Sequence, residues 1–117
     1  MRYLFPQADI PLIQLSIDYF SPPEMHYNLG RELNALREQG ILIIGSGNIV
    51  HNLPGIKFDM EGGYDWAYEF DDYIKDKIMQ GNHQSIVKYT SAGKSAGLAV
   101  PTPDHFYPLL YVLGATD

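Results

Sequence analysis

Ile41-Leu42-Ile43-Ile44 is apolar at four consecutive positions, with Gly40 before it and Gly45 after it. A run too short for a helix and apolar on both faces reads as a buried strand. Pro11-Leu12-Ile13-Gln14-Leu15-Ser16-Ile17 is a second short, β-branched candidate. Between them, Ser21-Pro22-Pro23-Glu24 has the pattern of a helix start: Ser21 to cap, Pro22 at the first helical position, Glu24 to complete a capping box. Met25, Leu29, Leu33 and Leu36 follow at helical spacing, and Gly40 supplies the stop. Strand, helix and strand in this order predict a βαβ unit with a right-handed crossover. The expected class is α/β: a mostly parallel central sheet with flanking helices, in one domain over residues 1–117.

Downstream the pattern is less regular. Residues 52–63 read as a loop, with Pro54 and the pair Gly62-Gly63. Trp66, Phe70, Tyr73, Ile74 and Lys77 form one stripe of a helix over residues 64–79. A shorter helix is expected over 84–89. Residues 91–100, rich in Gly, Ser and Ala, suggest either a mobile segment or one needing close backbone approach. A last helix is expected from Thr102 or Pro103 to Leu113, ending at Gly114, with Pro108 imposing a kink or a separate first turn.

The candidate chemistry lies in two of the four histidines. His51 stands in Gly45-Ser46-Gly47-Asn48-Ile49-Val50-His51-Asn52-Leu53, the loop that leaves the expected second strand. Ligands of open α/β sheets collect beyond the carboxyl ends of the strands. His105 stands in Pro101-Thr102-Pro103-Asp104-His105, at the expected start of the last helix, where the positive helix end disfavours imidazolium. Imidazole binds metals and transfers protons near neutral pH. A loop-backbone hydrogen bond for His51 and simple packing for His105 are the competing readings. His26 and His83 read as surface or structural. Two imidazoles fall short of the three protein ligands of a catalytic metal site. Asp18, Asp59, Glu61, Asp65 and Asp104 are available carboxylates, but none has a ligand spacing. Gly45-Ser46-Gly47-Asn48 lacks the features of a phosphate-binding loop.

Bulk properties exclude several classes. A net charge of −6 argues against nucleic-acid binding, which needs clustered Lys and Arg. With no cysteine there is no disulfide, thiolate metal site or cysteine nucleophile, which fits a reducing cytoplasm. No apolar run approaches the ~20 residues of a membrane span. The start, Met1-Arg2-Tyr3-Leu4-Phe5-Pro6, has no sustained apolar stretch after its charge, so no signal peptide is expected.

Three runs resemble a known family: residues 8–18 (Ala8-Asp9-Ile10-Pro11 through Asp18), residues 45–53 around His51, and Pro101-Thr102-Pro103-Asp104-His105-Phe106-Tyr107-Pro108-Leu109-Leu110-Tyr111. They are similar, in order and over nearly the whole chain, to 4,5-DOPA extradiol dioxygenases. These belong to the class III extradiol enzymes, the group of the protocatechuate 4,5-dioxygenase β-subunit. The resemblance implies a mononuclear non-haem Fe(II) enzyme, with Zn(II) found in related proteins, that inserts both atoms of O₂ into a catechol beside its hydroxyls. His51 falls on the family's acid–base histidine, which in the DOPA branch also approaches the metal. His105 aligns with a metal-binding glutamate of protocatechuate-type relatives and is expected to be a metal ligand. Trp66, Tyr68 and Tyr107 are candidates to contact an aromatic substrate. The family's N-terminal His-Gly-x-Pro motif and further histidine, which supply two metal ligands, have no match here. The chain therefore reads as the C-terminal half of such an enzyme, with a complementing N-terminal segment or a homo-oligomer as expected partner. The competing expectation is a non-catalytic remnant that self-associates and binds metal weakly or not at all.

Overall fold

The computed structural model describes Tyr3 and residues 5–117. Among these residues five α-helices run in chain order: α1 Pro23–Arg37, α2 Asp65–Met79, α3 His83–Val87, α4 Lys94–Ala99 and α5 Tyr107–Gly114. Short 3₁₀ turns lie at Leu53–Gly55 and Tyr89–Ala92.

The expected parallel sheet is not present: no strand occurs among the described residues. Extended backbone becomes a strand only by pairing its N–H and C=O groups with a neighbour. Among the described residues, no backbone hydrogen bond joins residues 10–17 or 42–44 to another segment. Their side chains remain largely outside the core, with Ile13 92% and Leu42 73% exposed. Ile17 alone of the first run packs against the core. The βαβ reading fails for the same reason. Apolar character marked both runs as segments that need cover, but it did not identify the cover. Helix α1 instead docks on α5, the most extensive helix pair in the molecule.

Helix α1 begins one residue later than its capping signal suggests, and Ser21 does not cap it. Asp18 competes successfully for that hydroxyl. Ser21 Oγ donates to Asp18 Oδ2 at 2.7 Å, and the Phe20 N–H donates to Oδ1 at 3.1 Å. The Ser21 hydroxyl and then the Phe20 amide hold the Asp18 carboxyl below its ordinary range. The stop is as expected. Gly40 adopts φ +79°, its N–H bonds to Arg37 O, and the Ile41 N–H bonds to Leu36 O, which together make a Schellman closure.

The core is built by α2, α3, α4 and α5 with Tyr27 of α1. Phe70 and Ile74, from the expected stripe of α2, are fully buried, as are Ile86 and Leu110. Each such side chain contributes about 1.5–3 kcal/mol of transfer free energy. Residues 91–100 fold into the end of the second 3₁₀ turn and α4, and neither Gly93 nor Gly97 has an atom within 4 Å of where a Cβ would stand, so no close backbone approach is made at these glycines. Ala96 and Ala99 are buried in α4, which packs on α2. The last helix starts at Tyr107, not at Thr102 or Pro103. Pro103 O accepts from both the Phe106 and Tyr107 N–H groups, closing a separate turn, and Pro108 enters α5 in its first turn, where its missing N–H costs nothing.

Candidate active site

Two loops are laid against each other by backbone bonds. The Asn48 N–H donates to His105 O, and the His51 N–H donates to Ala99 O, each at 2.8 Å. Asn52 uses both ends of its amide: Nδ2 donates to Leu98 O at 2.7 Å, and Oδ1 accepts from the Gly55 N–H at 3.0 Å. Gly47 has to be glycine for this contact, because a Cβ there would run into the His105 carbonyl and lie 3.1 Å from Pro108 Cγ. The loop anchoring expected of His51 is thus made by its backbone, which leaves the ring free for other work.

That anchoring brings the two histidines together. Their rings stack with centroids 3.6 Å apart and planes 20° from parallel. His105 lies in the turn before α5, not in the helix's first turn. Its side chain is 43% exposed, and Nε2 is 3.4 Å from Asp104 Oδ2. The Thr102 hydroxyl holds the Asp104 carboxyl below its ordinary range, outweighing burial, with a backbone N–H and then the two imidazoles adding lesser help.

Among the described residues, no group of three or more His, Asp and Glu side chains is placed to hold a metal ion. Asp18, Asp59, Glu61 and Asp65 do not join the pair. A metal sits in the plane of an imidazole about 2.0–2.1 Å from nitrogen. Nearly parallel rings 3.6 Å apart therefore cannot both point at one ion as they stand. The residues present are chemically apt donors, but by themselves they do not fit a complete metal site.

Beside His51 opens a groove of about 360 Å³ lined by Asn48, His51, Lys57, Met60, Tyr64 and Trp66 among others. Tyr64 and Trp66 stack at 5.2 Å, and Lys57 Nζ stands 5.7 Å from the centre of the Tyr64 ring. Of the three aromatic candidates, Trp66 alone lines this groove. Tyr68 lies outside the lining, and Tyr107 is buried, 4.1 Å from the His26 ring. Tyr64 and Lys57 were not singled out from sequence. The available signal was Lys57 as a basic residue in a loop that also carries Asp59 and Glu61.

Residues 1–117 match the family model for the catalytic LigB subunit of aromatic ring-opening dioxygenase. The chain belongs to this family. Among its relatives, a 4,5-DOPA dioxygenase extradiol of Escherichia coli K12 is 44% identical over 97% of this chain and 43% of its own length. The 4,5-DOPA dioxygenase extradiol of Beta vulgaris is 38% identical over 98% of this chain, again 43% of its own length. The crystal structure of an uncharacterized Escherichia coli K12 protein superposes with a TM-score of 0.86 at 41% identity, covering 97% of this chain and 48% of that one. The chain thus spans less than half the length of the curated relatives it matches.

Proposed function

We propose that this chain supplies part of an extradiol ring-cleavage site, the C-terminal portion of a class III catalytic domain that inserts O₂ into a DOPA-like catechol. The observation that carries the reading is the histidine pair, pinned side by side at the edge of an aromatic-lined groove by two loops distant in sequence. Family membership and relatives named as dioxygenases support the reaction class. His51, which lines the groove, is the proton carrier: it accepts a proton from a catechol hydroxyl and returns one as the ring opens. His105 is one ligand of a mononuclear non-haem metal, with Fe(II) expected and Zn(II) the alternative, and further donors come from a complementing segment. Acidic net charge speaks against nucleic-acid partners. No helix among the described residues is long and apolar enough to cross a membrane. The cysteine-free composition supports residence in the cytoplasm.

The exposed apolar segments and the two-donor set favour one other reading, a non-catalytic remnant that self-associates. The test is complementation. The chain is purified alone and after co-expression with the remaining part of the Escherichia coli relative, and both samples are assayed for bound iron and for anaerobic-to-aerobic ring cleavage of DOPA. Metal and turnover gained only on complementation support the dioxygenase reading. Absence of both after complementation supports the remnant. In the complemented protein, His105→Ala should lose the metal, whereas His51→Ala should keep it and lose turnover.

A further inference from the structure

His26 is a buried titratable group that the proposed chemistry leaves unused. It belongs to α1 and is fully buried. Its Nε2–H donates to Ser21 O at 3.3 Å, and its Nδ1 accepts from the Tyr111 hydroxyl at 3.0 Å. The same ring packs on Tyr107, with centroids 4.1 Å apart and planes tilted by 32°. One imidazole thus ties the chain entering α1 to two side chains that lie a turn apart on one face of α5.

Along α5 the contact with α1 changes from backbone to side chain. From Tyr111 to Gly114 the helices approach so closely that neither Gly30 nor Gly114 leaves room for a Cβ. At Tyr107, one turn nearer the histidine pair, the His26 ring is the contact from α1. The turn that carries His105 hangs from this point. The Phe106 and Tyr107 N–H groups both donate to Pro103 O at 2.9 Å, closing the chain around His105. Phe106 is seated in the core, 4.5 Å from the Tyr89 ring. With Phe106 and Tyr107 both held, the His105 carbonyl meets the Asn48 N–H and its ring meets His51.

Resting on the dioxygenase reading, we propose that His26 is a positioning residue for the site: it holds the first turn of α5 against α1 and, through Tyr107, fixes where His105 meets His51. Its rotamer is locked by packing and by a hydrogen bond at each nitrogen, which is what a supporting residue needs to hold a site precisely. A misplacement of about 1 Å at a reacting group costs on the order of 10²-fold in rate, so loss of this support is felt at the site even where the fold survives.

The test separates positioning from plain stability. The ring protons of His51 and His105 are followed by NMR in the chain as it is and in three variants. Tyr111→Phe removes one hydroxyl and keeps the ring, His26→Ala removes the support, and Ile74→Val trims the core in α2, which packs on α3 and α4. Urea midpoints give the stability of each. Tyr111→Phe should reduce the mutual ring-current shifts of the two histidines by at least a quarter and His26→Ala by at least half. Ile74→Val should lower the urea midpoint and leave those shifts unchanged. If His26→Ala does not fold, Tyr111→Phe decides alone. After complementation, Tyr111→Phe should lower kcat for DOPA at least threefold with KM unchanged. Unaltered ring-current shifts in Tyr111→Phe, an equal loss in Ile74→Val, or an unaltered kcat where the shifts are lost would each overturn the assignment. If the unsubstituted chain shows no ring cleavage after complementation, the dioxygenase reading fails, while the shifts still decide whether His26 sets the histidine pair.

Discussion

His26 is fully buried, and both of its ring nitrogens are committed. Nε2 lies 3.3 Å from Ser21 O, which can only accept, so Nε2 carries the proton. Nδ1 then accepts from the Tyr111 hydroxyl at 3.0 Å. Protonating Nδ1 would turn that bond into a donor–donor clash unless Tyr111 rotates. Burial pushes the His26 pKa below its ordinary 6.5, outweighing the Ser21 carbonyl and the Asp18 carboxylate, both of which raise it. The unfolded chain therefore takes up this proton first as pH falls. Stability from His26 is complete above about pH 6.5 and is lost as pH drops toward the lower folded value. Melting temperature should decline between pH 7 and 5, and His26→Gln should flatten the slope over that window while lowering stability at pH 7. A slope unchanged in His26→Gln would show that other groups carry it. From sequence His26 was an ambiguous helix histidine, since the Tyr111 that buries it stands 85 positions away. His51 and His105 were legible as candidates because they sit in distinctive loops. Their stacking was not, since it depends on the backbone bonds from Asn48 and His51 to a distant segment. Gly47→Ala should break that contact: the His51 and His105 ring protons should lose their mutual ring-current shifts in NMR spectra.

Helices α1 and α5 meet backbone to backbone at a glycine from each. A Cβ on Gly30 would lie 2.9 Å from Tyr111 Cα, and one on Gly114 would lie 2.9 Å from Arg31 N. Alanine gains about 1 kcal/mol over glycine in a helix interior. Overpacking against a backbone that cannot rotate away costs about 1–3 kcal/mol, so the clash wins at Gly30. Gly97 in α4 is the opposite case, with open space where its Cβ would be. Gly30→Ala should lower the urea midpoint and Gly97→Ala should raise it, by up to about 1 kcal/mol in the latter case. Equal effects at the two sites would remove the close approach as the reason for Gly30. At this scale the sequence was informative where signals were local: the α2 stripe, the Gly40 stop and the position of Pro108. It misled where two local signals competed, as when Asp18 took the Ser21 hydroxyl from the helix end. The helical reading of residues 102–106 failed because Pro103 closes its own turn first.

At the scale of the whole molecule, the α/β expectation rests on residues 11–17 and 41–44, two runs that the fold leaves uncovered apart from Ile17. Their apolarity was read correctly, but pairing is a property of the neighbour as much as of the run. Leu12, Ile13, Leu15, Leu42 and Ile44 are each about half or more exposed, on backbone that lacks ladder partners among the described residues. Exposed apolar segments of this kind mark interaction surfaces and promote edge-to-edge association. The chain alone should therefore self-associate: light scattering should give a mass above the 13.2 kDa of one chain that rises with concentration. Replacing Ile13 and Leu42 together by Lys should return it to monomer while leaving helix content unchanged, because neither side chain belongs to the buried core. Co-expression with the remaining part of the Escherichia coli relative discriminates further. If that part covers these runs, the complex should lose the concentration dependence, and the double Lys variant should fail to form the complex. A monomeric chain at all concentrations, or complex formation indifferent to the Lys pair, would mean that these segments are not the surface through which the molecule associates.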